Sequence, residues 1–256
     1  ASSIITPVPH KCYVNAPSLP NVYTDGSWLF PLRQYLGLGG AGVWWPRRCH
    51  ETPWRPGCNQ RHLFSEAELS IAHYAQQDHG LQMFTNIGGF GGSSTRTELA
   101  AGIIALCANG PVHIASDSRA FVDKACAIID DIRKGIDPED YRPWSLRSDG
   151  DLWAHFSFIV KTKGHLSIAL TWVKGHATDS HVAEGITTDA HKTGNFIADQ
   201  VADIATQLHG KDLINIASWY QSRYNMYLKF VCSVAKHLVE GYLIHRALLD
   251  GLEAKQ

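Results

Sequence analysis

Apolar positions along the chain alternate with a period of two in some stretches and recur every third or fourth residue in others. Residues 1–20 carry four prolines and no period, which reads as a lead-in. A short apolar strand over 21–25 (NVYTD) ends on an acid, with Gly26-Ser27 as the following turn. A second strand covers 39–45 (GGAGVWW), entered through a glycine-rich turn, and 46–56 forms a loop rich in Arg and Trp. Over 65–77 (SEAELSIAHYAQQ), Ser65 precedes Glu68 by three residues, a capping box that predicts a short helix. Residues 81–87 (LQMFTNI) alternate and predict a strand.

The second half carries stronger helical periods. Residues 97–109 (TELAAGIIALCAN) are Ala-rich with one apolar face and stop at Asn109-Gly110-Pro111. A strand over 112–116 (VHIAS) leads to Asp117. Helical spacing follows in 118–134, with Phe121, Val122, Ala125, Ile128, Ile129 and Ile132 on one face. A helix over 151–160, a buried strand over 167–173 and a helix over 195–208 complete a mixed α/β domain with helices packed on one sheet. Residues 213–249 lack proline and carry Trp219, Tyr220, Tyr224, Tyr227, Phe230 and Leu238, predicting one or two helices. Their aromatic residues read as core, packing on a neighbouring domain or on the open face of the sheet. The expected organisation is a lead-in (1–18), a catalytic domain (19–210, with an insertion at about 46–79) and a helical extension (211–256).

The chain has 256 residues, 45% of them hydrophobic, enough for a sizeable core. Lys and Arg total 23 against 24 Asp and Glu, a net charge of −1, which excludes binding to nucleic acid or anionic membranes by bulk positive charge. No run of 18 apolar residues predicts a membrane span. Six scattered cysteines form no secreted-type framework, and their pattern favours an intracellular, reducing location. The first residue, Ala1, has no signal-type segment after it and hints at a piece excised from a larger polypeptide.

Four acids stand out by position. Asp25 ends the first strand, Glu98 opens the first long helix, Asp117 ends a core strand, and Asp199 lies one turn into the helix that closes the domain. Acids at the ends of adjacent strands point into one crevice. Converging carboxylates repel one another unless some are protonated or cations fill the cluster. All-oxygen ligation suits Mg²⁺ or Mn²⁺, and two such ions can clamp the attacking and leaving oxygens of a phosphodiester.

The segments YTDGS (23–27), TRTELAA (95–101), SDS (116–118), DLW (151–153), WVKGHA (172–177) and NFIADQVA (195–202) stand in the order and context of ribonuclease H type 1. The chain resembles that family over roughly residues 19–210, and its setting is similar to a ribonuclease H domain of a retroelement polyprotein beside a reverse transcriptase. The resemblance implies a five-stranded mixed sheet flanked by helices. It implies cleavage of the RNA strand of an RNA–DNA hybrid, leaving 5′-phosphate and 3′-hydroxyl ends. It implies two Mg²⁺ ions, replaceable by Mn²⁺, held by Asp25, Glu98, Asp117 and Asp199, with Asp25 between them. His176, in the GHA segment, is implied to protonate the leaving group or usher product out.

Substrate contacts are expected from Gly26 and Ser27, whose backbone a sugar can approach, from Thr95, Arg96 and Ser118 beside the acids, and from Trp144 and Lys174. Relatives often carry Asn where this chain has Thr95. A strong basic handle is not expected, because residues 131–151 hold six acids against four basic side chains. Residues 161–176 hold Lys161, Lys163 and Lys174 and no acid, a local basic excess. Asp203, one turn beyond Asp199, is the competing fourth acid, and His181 and His191, in an enlarged loop over 178–194, compete with His176. Two readings fit Cys49, His50, Cys58 and His62: a zinc site, or packing and surface residues, since the spacing has no paired C-x₂-C knuckle. The arginines Arg47, Arg48, Arg55 and Arg61 with Trp45 and Trp54 read equally as a phosphate- and base-contacting patch or as a structural loop.

Overall fold

A computed structural model describes residues 8–30, 37–48, 64–77, 80–88 and 92–253. The chain divides between Gly210 and Lys211 into two compact units. The larger is built on a mixed six-stranded sheet in the order β3-β4-β2-β1-β5-β6. Its strands are β1 Val22–Leu29, β2 Leu38–Trp45, β3 His73–Gln77, β4 Gly80–Ile87, β5 Val112–Ser116 and β6 Ile168–Trp172. Antiparallel pairing joins β3, β4, β2 and β1, while β1, β5 and β6 are parallel. Parallel neighbours need crossovers, and these are supplied by α2 Ser94–Leu106, α3 Arg119–Arg133, the short α4 Pro138–Tyr141 and α5 Gly150–Lys163.

The period-two strands divide their side chains between two layers. Val22, Ala41, Val43, Trp45, Leu81 and Met83 face the larger core, which α2, α3 and α5 fill with Leu99, Ile103, Phe121, Trp153 and Phe156. Tyr23, Trp44 and Ala115 face the other way and pack with Val173 and with Ala198 of α7 Asp189–Gln207. Gly40 and Gly42 of β2 lie directly under Ala202 of that helix.

The sheet has six strands rather than five because the expected helix over 65–77 is cut short. The capping box forms, with the Ser65 hydroxyl accepting from the Glu68 N–H, but α1 Glu66–Ile71 stops after six residues. Ala72 turns extended, and the HYAQQ stretch pairs with the free edge of β4. The expected turn at Gly26-Ser27 is also absent: β1 runs on to Leu29, opposite β2, so Asp25 sits mid-strand. The expected loop over 178–194 is partly helical, holding α6 Asp179–Ala183 and the first turns of α7, which is capped at Thr188. Asp199 therefore lies three turns into its helix rather than one.

The insertion is tied to the core by buried polar groups. Arg48 and Glu68, both fully buried, form a two-pronged ion pair at 2.5 and 3.0 Å, with the guanidinium over the Trp45 and Phe64 rings. The Ser65 hydroxyl donates to the Cys107 carbonyl at 2.5 Å. Lys163, also fully buried, donates to the carbonyls of Leu106 (3.1 Å) and Ala108. These donors close the C-terminal end of α2, where a helix leaves carbonyls unpaired and favours positive charge. Burial draws the Lys163 ammonium down to about 8. The lead-in is anchored as well: Cys12 and Ala16 donate backbone hydrogen bonds to the carbonyls of Lys163 and Leu166, and the buried His113 ring donates to the Pro17 carbonyl.

The smaller unit is one helix, α8 Lys211–Glu253, of 43 residues. No described helix is long and apolar enough to cross a membrane.

Candidate active site

Thr24 of β1 stands opposite Ser116 of β5 in parallel register. The next residue after each is an acid, so Asp25, mid-strand on β1, and Asp117, just past the end of β5, lie side by side in the middle of the sheet. Glu98 arrives from α2, which crosses β1 at Gly26. A Cβ on Gly26 would lie 2.4 Å from Thr97 Oγ1 and 2.5 Å from the Glu98 nitrogen, so only glycine lets the helix come this close. The helix begins earlier than its Ala-rich stretch suggests, capped by the Ser93 side chain, so Glu98 is its fifth residue and not part of its opening turn. Carboxylate oxygens of Asp25, Glu98 and Asp117 lie within 4.8 Å of one another. Asp199, half-buried on α7, stands outside that group of three, and its charge helps to raise the Asp25 carboxyl.

Burial and mutual charge dominate the electrostatics. Asp25 is 7% exposed, and its carboxyl is pushed up to about 7, first by burial and then by the Asp117 charge, against the opposing pull of the Gly26 N–H 2.7 Å away. Glu98, also buried, is held well above the usual carboxylate range by burial and by the charges of Asp25 and Asp117. Its Oε2 is buried without a hydrogen-bond partner. A cluster of hard oxygen donors that holds protons for want of positive charge, with one oxygen left unpaired, fits a divalent cation such as Mg²⁺ or Mn²⁺.

Asp117 is held on three sides. Asn195, 3% exposed, donates from Nδ2 to Asp117 Oδ2 at 3.1 Å. Trp172 donates from Nε1 to the Asp117 carbonyl at 2.9 Å. Gly175 packs against the carboxylate so closely that a Cβ there would lie 2.3 Å from Oδ2. Sequence reasoning quoted Asn195 within a motif but gave it no role. The available signal was its spacing, four residues before Asp199 and hence on the same helix face. Its Oδ1 is buried and unpaired, so the amide is spent on Asp117 alone.

No family model matches this chain, and no curated protein matches it. Among solved structures it is similar to LC9-RNase H1, a type 1 RNase H with the type 2 active-site motif, at 20% identity and a TM-score of 0.43 over 74% of each chain. It is similar to the foamy viral protease-reverse transcriptase in complex with RNA/DNA hybrid, at 16% identity and a TM-score of 0.44 over 76% of this chain and 21% of that one. The PFV RNase H domain aligns at 19% identity and a TM-score of 0.43, over 73% of this chain and 93% of that one. Two of these three neighbours are described as ribonuclease H.

The remaining expected residues divide into those at the rim of the acid cluster and those occupied elsewhere. His176 is exposed, next to Gly175, and holds a left-handed backbone (φ 46°) that few non-glycine residues adopt. Thr95, Ser118 and Lys174 are half-buried, Thr95 in the first turn of α2, Ser118 next to Asp117 at the start of α3, and Lys174 next to Gly175. Arg96 is engaged, making a two-pronged pair with Asp151 at 2.8 and 2.5 Å and a longer contact to Asp149, which ties α2 to α5. The Ser27 hydroxyl donates to Asp203 at 2.7 Å, so these two form a pair one turn beyond Asp199. Trp144 is buried under the Arg147 guanidinium, 4.3 Å from its ring, and is not placed to stack on a sugar.

His181 accepts from the Thr178 N–H at the start of α6, and His191, half-buried in α7 rather than in a solvated loop, pairs with the Tyr23 hydroxyl at 3.1 Å. The local basic excess over 161–176 is not realised, since Lys161 pairs with Asp137 and Lys163 is buried. Trp45, at the end of β2, and Arg48 of the insertion are core residues. Cys49, His50, Trp54, Arg55, Cys58, Arg61 and His62 lie outside the described residues, and with them the zinc reading.

Proposed function

We propose that this chain is a divalent-metal-dependent endonuclease of the ribonuclease H kind, cutting the RNA strand of RNA–DNA hybrids to leave 5′-phosphate and 3′-hydroxyl ends. The observation that carries this reading is the convergence of Asp25 of β1, Glu98 of α2 and Asp117, just past β5, within 4.8 Å, with the charge of Asp199 on α7 acting on Asp25. Isolated surface acids do not need burial, yet Asp25 and Glu98 are buried and Asp117 and Asp199 half-buried.

Asp25, Glu98, Asp117 and Asp199 would hold two Mg²⁺ or Mn²⁺ ions. When bound, such ions offset the charge that builds on the phosphate and acidify water. The protein's own part is positional. Gly26 brings the Glu98 helix against β1, Asn195 and Gly175 fix the Asp117 carboxylate, and the Arg96–Asp151 pair fastens the first turns of α2. His176, exposed at the rim, is the group available to pass a proton to the departing 3′-oxygen. Thr95 and Ser118 are the hydroxyls suited to test for a sugar 2′-hydroxyl. With the basic side chains of 161–176 largely engaged, hybrid affinity would depend on the metal, with a tighter hold supplied by a linked or associated reverse transcriptase domain.

The test is one gel. An RNA–DNA hybrid, double-stranded RNA and double-stranded DNA are incubated with Mg²⁺ or EDTA and with wild type or Asp117→Asn. Loss of the hybrid's RNA strand with Mg²⁺ alone, abolished by Asp117→Asn, is expected. Full activity of Asp117→Asn at saturating Mg²⁺ would sink the four-acid reading. Cutting of DNA would point to an exonuclease or integrase, and no metal-dependent cleavage to a scaffold.

A further inference from the structure

A cavity of about 700 Å³ opens on the α7 side of the sheet, and none of the four acids lines it. Its sheet wall is aromatic, formed by Tyr23 of β1 and Trp44 of β2, which are register partners. A second wall is the lead-in, where Pro17, Leu19 and Pro20 present apolar surface. This wall is held in place: the Pro17 carbonyl accepts from the His113 ring at 2.8 Å, and the Asn21 N–H donates to the His113 carbonyl at 3.0 Å. The third wall is the start of α7, with Ala190, His191 and Thr193. The Tyr23 hydroxyl pairs with His191 Nδ1, which leaves His191 Nε2 and the Thr193 hydroxyl without a partner among the described residues. Burial lowers the His191 imidazole, so its ring is neutral at pH 7. Arg47 is the one charged side chain of the lining, exposed and paired with no acid among the described residues. Asp189, in the first turn of α7, is outside the lining and lies 3.6 Å from Lys192.

We propose that this cavity binds a nucleotide, with the base between the lead-in prolines and the Tyr23–Trp44 wall and the phosphate on Arg47. Three observations select this ligand. The volume falls within the roughly 300–1,000 Å³ of small-ligand sites. The walls suit a base, whose faces are flat and stack on rings and whose edge carries both donors and acceptors. His191 Nε2 and the Thr193 hydroxyl offer partners to that edge, and an aliphatic acid would leave them unpaired. The free guanidinium matches phosphate in charge and geometry, and no carboxylate of the lining opposes it. The same chemistry recognises a free mononucleotide or the unpaired end of a strand. The proposal does not depend on the nuclease reading, because it uses none of that site's acids.

The experiment is calorimetry on the full chain in EDTA, which strips any cation from the acid cluster and with it any cation-borne phosphate binding there. The probes are 5′-AMP, adenosine, inorganic phosphate, dodecanoate and a single-stranded adenylate hexanucleotide. AMP is expected to bind about tenfold more tightly than adenosine or phosphate. Arg47→Ala is expected to weaken AMP about tenfold and to leave adenosine unchanged. Ala190→Trp, which fills the cavity from an exposed position, is expected to abolish binding, while Lys134→Ala at the exposed end of α3 keeps it. Circular dichroism reports whether Ala190→Trp folds; if it does not, the Arg47→Ala comparison of AMP with adenosine decides alone. A hexanucleotide bound more tightly than AMP, and blocked by Ala190→Trp, assigns the pocket to a strand end; equal or weaker binding assigns it to the free nucleotide. No AMP binding at millimolar concentration, AMP binding that a folded Ala190→Trp leaves unchanged, or AMP no tighter than phosphate overturns the proposal. Dodecanoate bound in preference to AMP overturns it in favour of an aliphatic acid.

Discussion

The acid cluster destabilises the protein that contains it, and the effect has a sign that can be measured. Burial and the Asp117 charge raise the Asp25 carboxyl from its ordinary 3.8 to about 7. A carboxyl raised on folding binds its proton more tightly in the native state than in the unfolded one. Its contribution to stability is therefore full at low pH and lost as pH rises from about 4 through about 7. The displacement is about three pH units at ~1.4 kcal/mol each, so up to about 4 kcal/mol is at stake. Replacing Asp25 with Asn removes the ionisable group and relieves Glu98 and Asp117 of a neighbouring charge while keeping shape. In EDTA, Asp25→Asn is expected to be more stable than wild type at pH 8 by up to about 4 kcal/mol, and to show little gain at pH 4. Urea unfolding followed by tryptophan fluorescence reads this directly, since Trp44 and Trp153 lie in the two cores. Mg²⁺ should raise the wild-type midpoint at pH 8 and leave that of the variant nearly unmoved. A wild-type midpoint that is flat from pH 5 to 8 in EDTA, or a variant no more stable at pH 8, would refute the electrostatic account of the site.

Other predictions follow from the packing around the acids. Asn195→Ala should weaken Mn²⁺ binding by roughly 10–100-fold, measured by calorimetry, because it frees the Asp117 carboxylate to turn; an unchanged affinity would mean that Gly175 and Trp172 suffice. Gly26→Ala should cost about 1–3 kcal/mol and depress hybrid cleavage, since the new methyl group drives α2 and Glu98 away from β1; wild-type activity and unfolding midpoint would contradict the close approach. Glu68→Ala should cost about 3–5 kcal/mol by leaving the Arg48 charge buried and unpaired, whereas Arg48→Met with Glu68→Leu should cost much less; equal losses would show that packing, not charge, dominates there.

Much of the site could be read in the sequence because its acids belong to elements with clean periods. The strand over 112–116 delivers Asp117 to its edge, and the Ala-rich helix presents Glu98. What escaped reading depended on partners distant in the chain. Nothing in HYAQQ breaks a helix; it becomes a strand because β4 offers an unpaired edge. Asp25 reads as a strand end because Gly26-Ser27 resembles a turn, yet the opposing β2 keeps the pair extended. Lys163 reads as part of a local basic excess and Arg48 as part of either a nucleic-acid-contacting patch or a structural loop, and only the carbonyls ending α2 and the Glu68 carboxylate explain their burial. Arg96 and Ser27 stand beside acids in the chain, but their side chains bond to Asp151 and Asp203, contacts no local pattern encodes.

The bond from Ser65 to the Cys107 carbonyl makes the capped start of α1 a stay for the helix that holds Glu98. Helices transmit axial displacement with little loss, and Cys107 lies nine residues from Glu98, roughly 13 Å along the axis. Loss of the Ser65 hydroxyl would therefore be felt at the acid cluster as a shift in the reach of one carboxylate. Position 65 becomes a means of retuning the site without touching any residue in it.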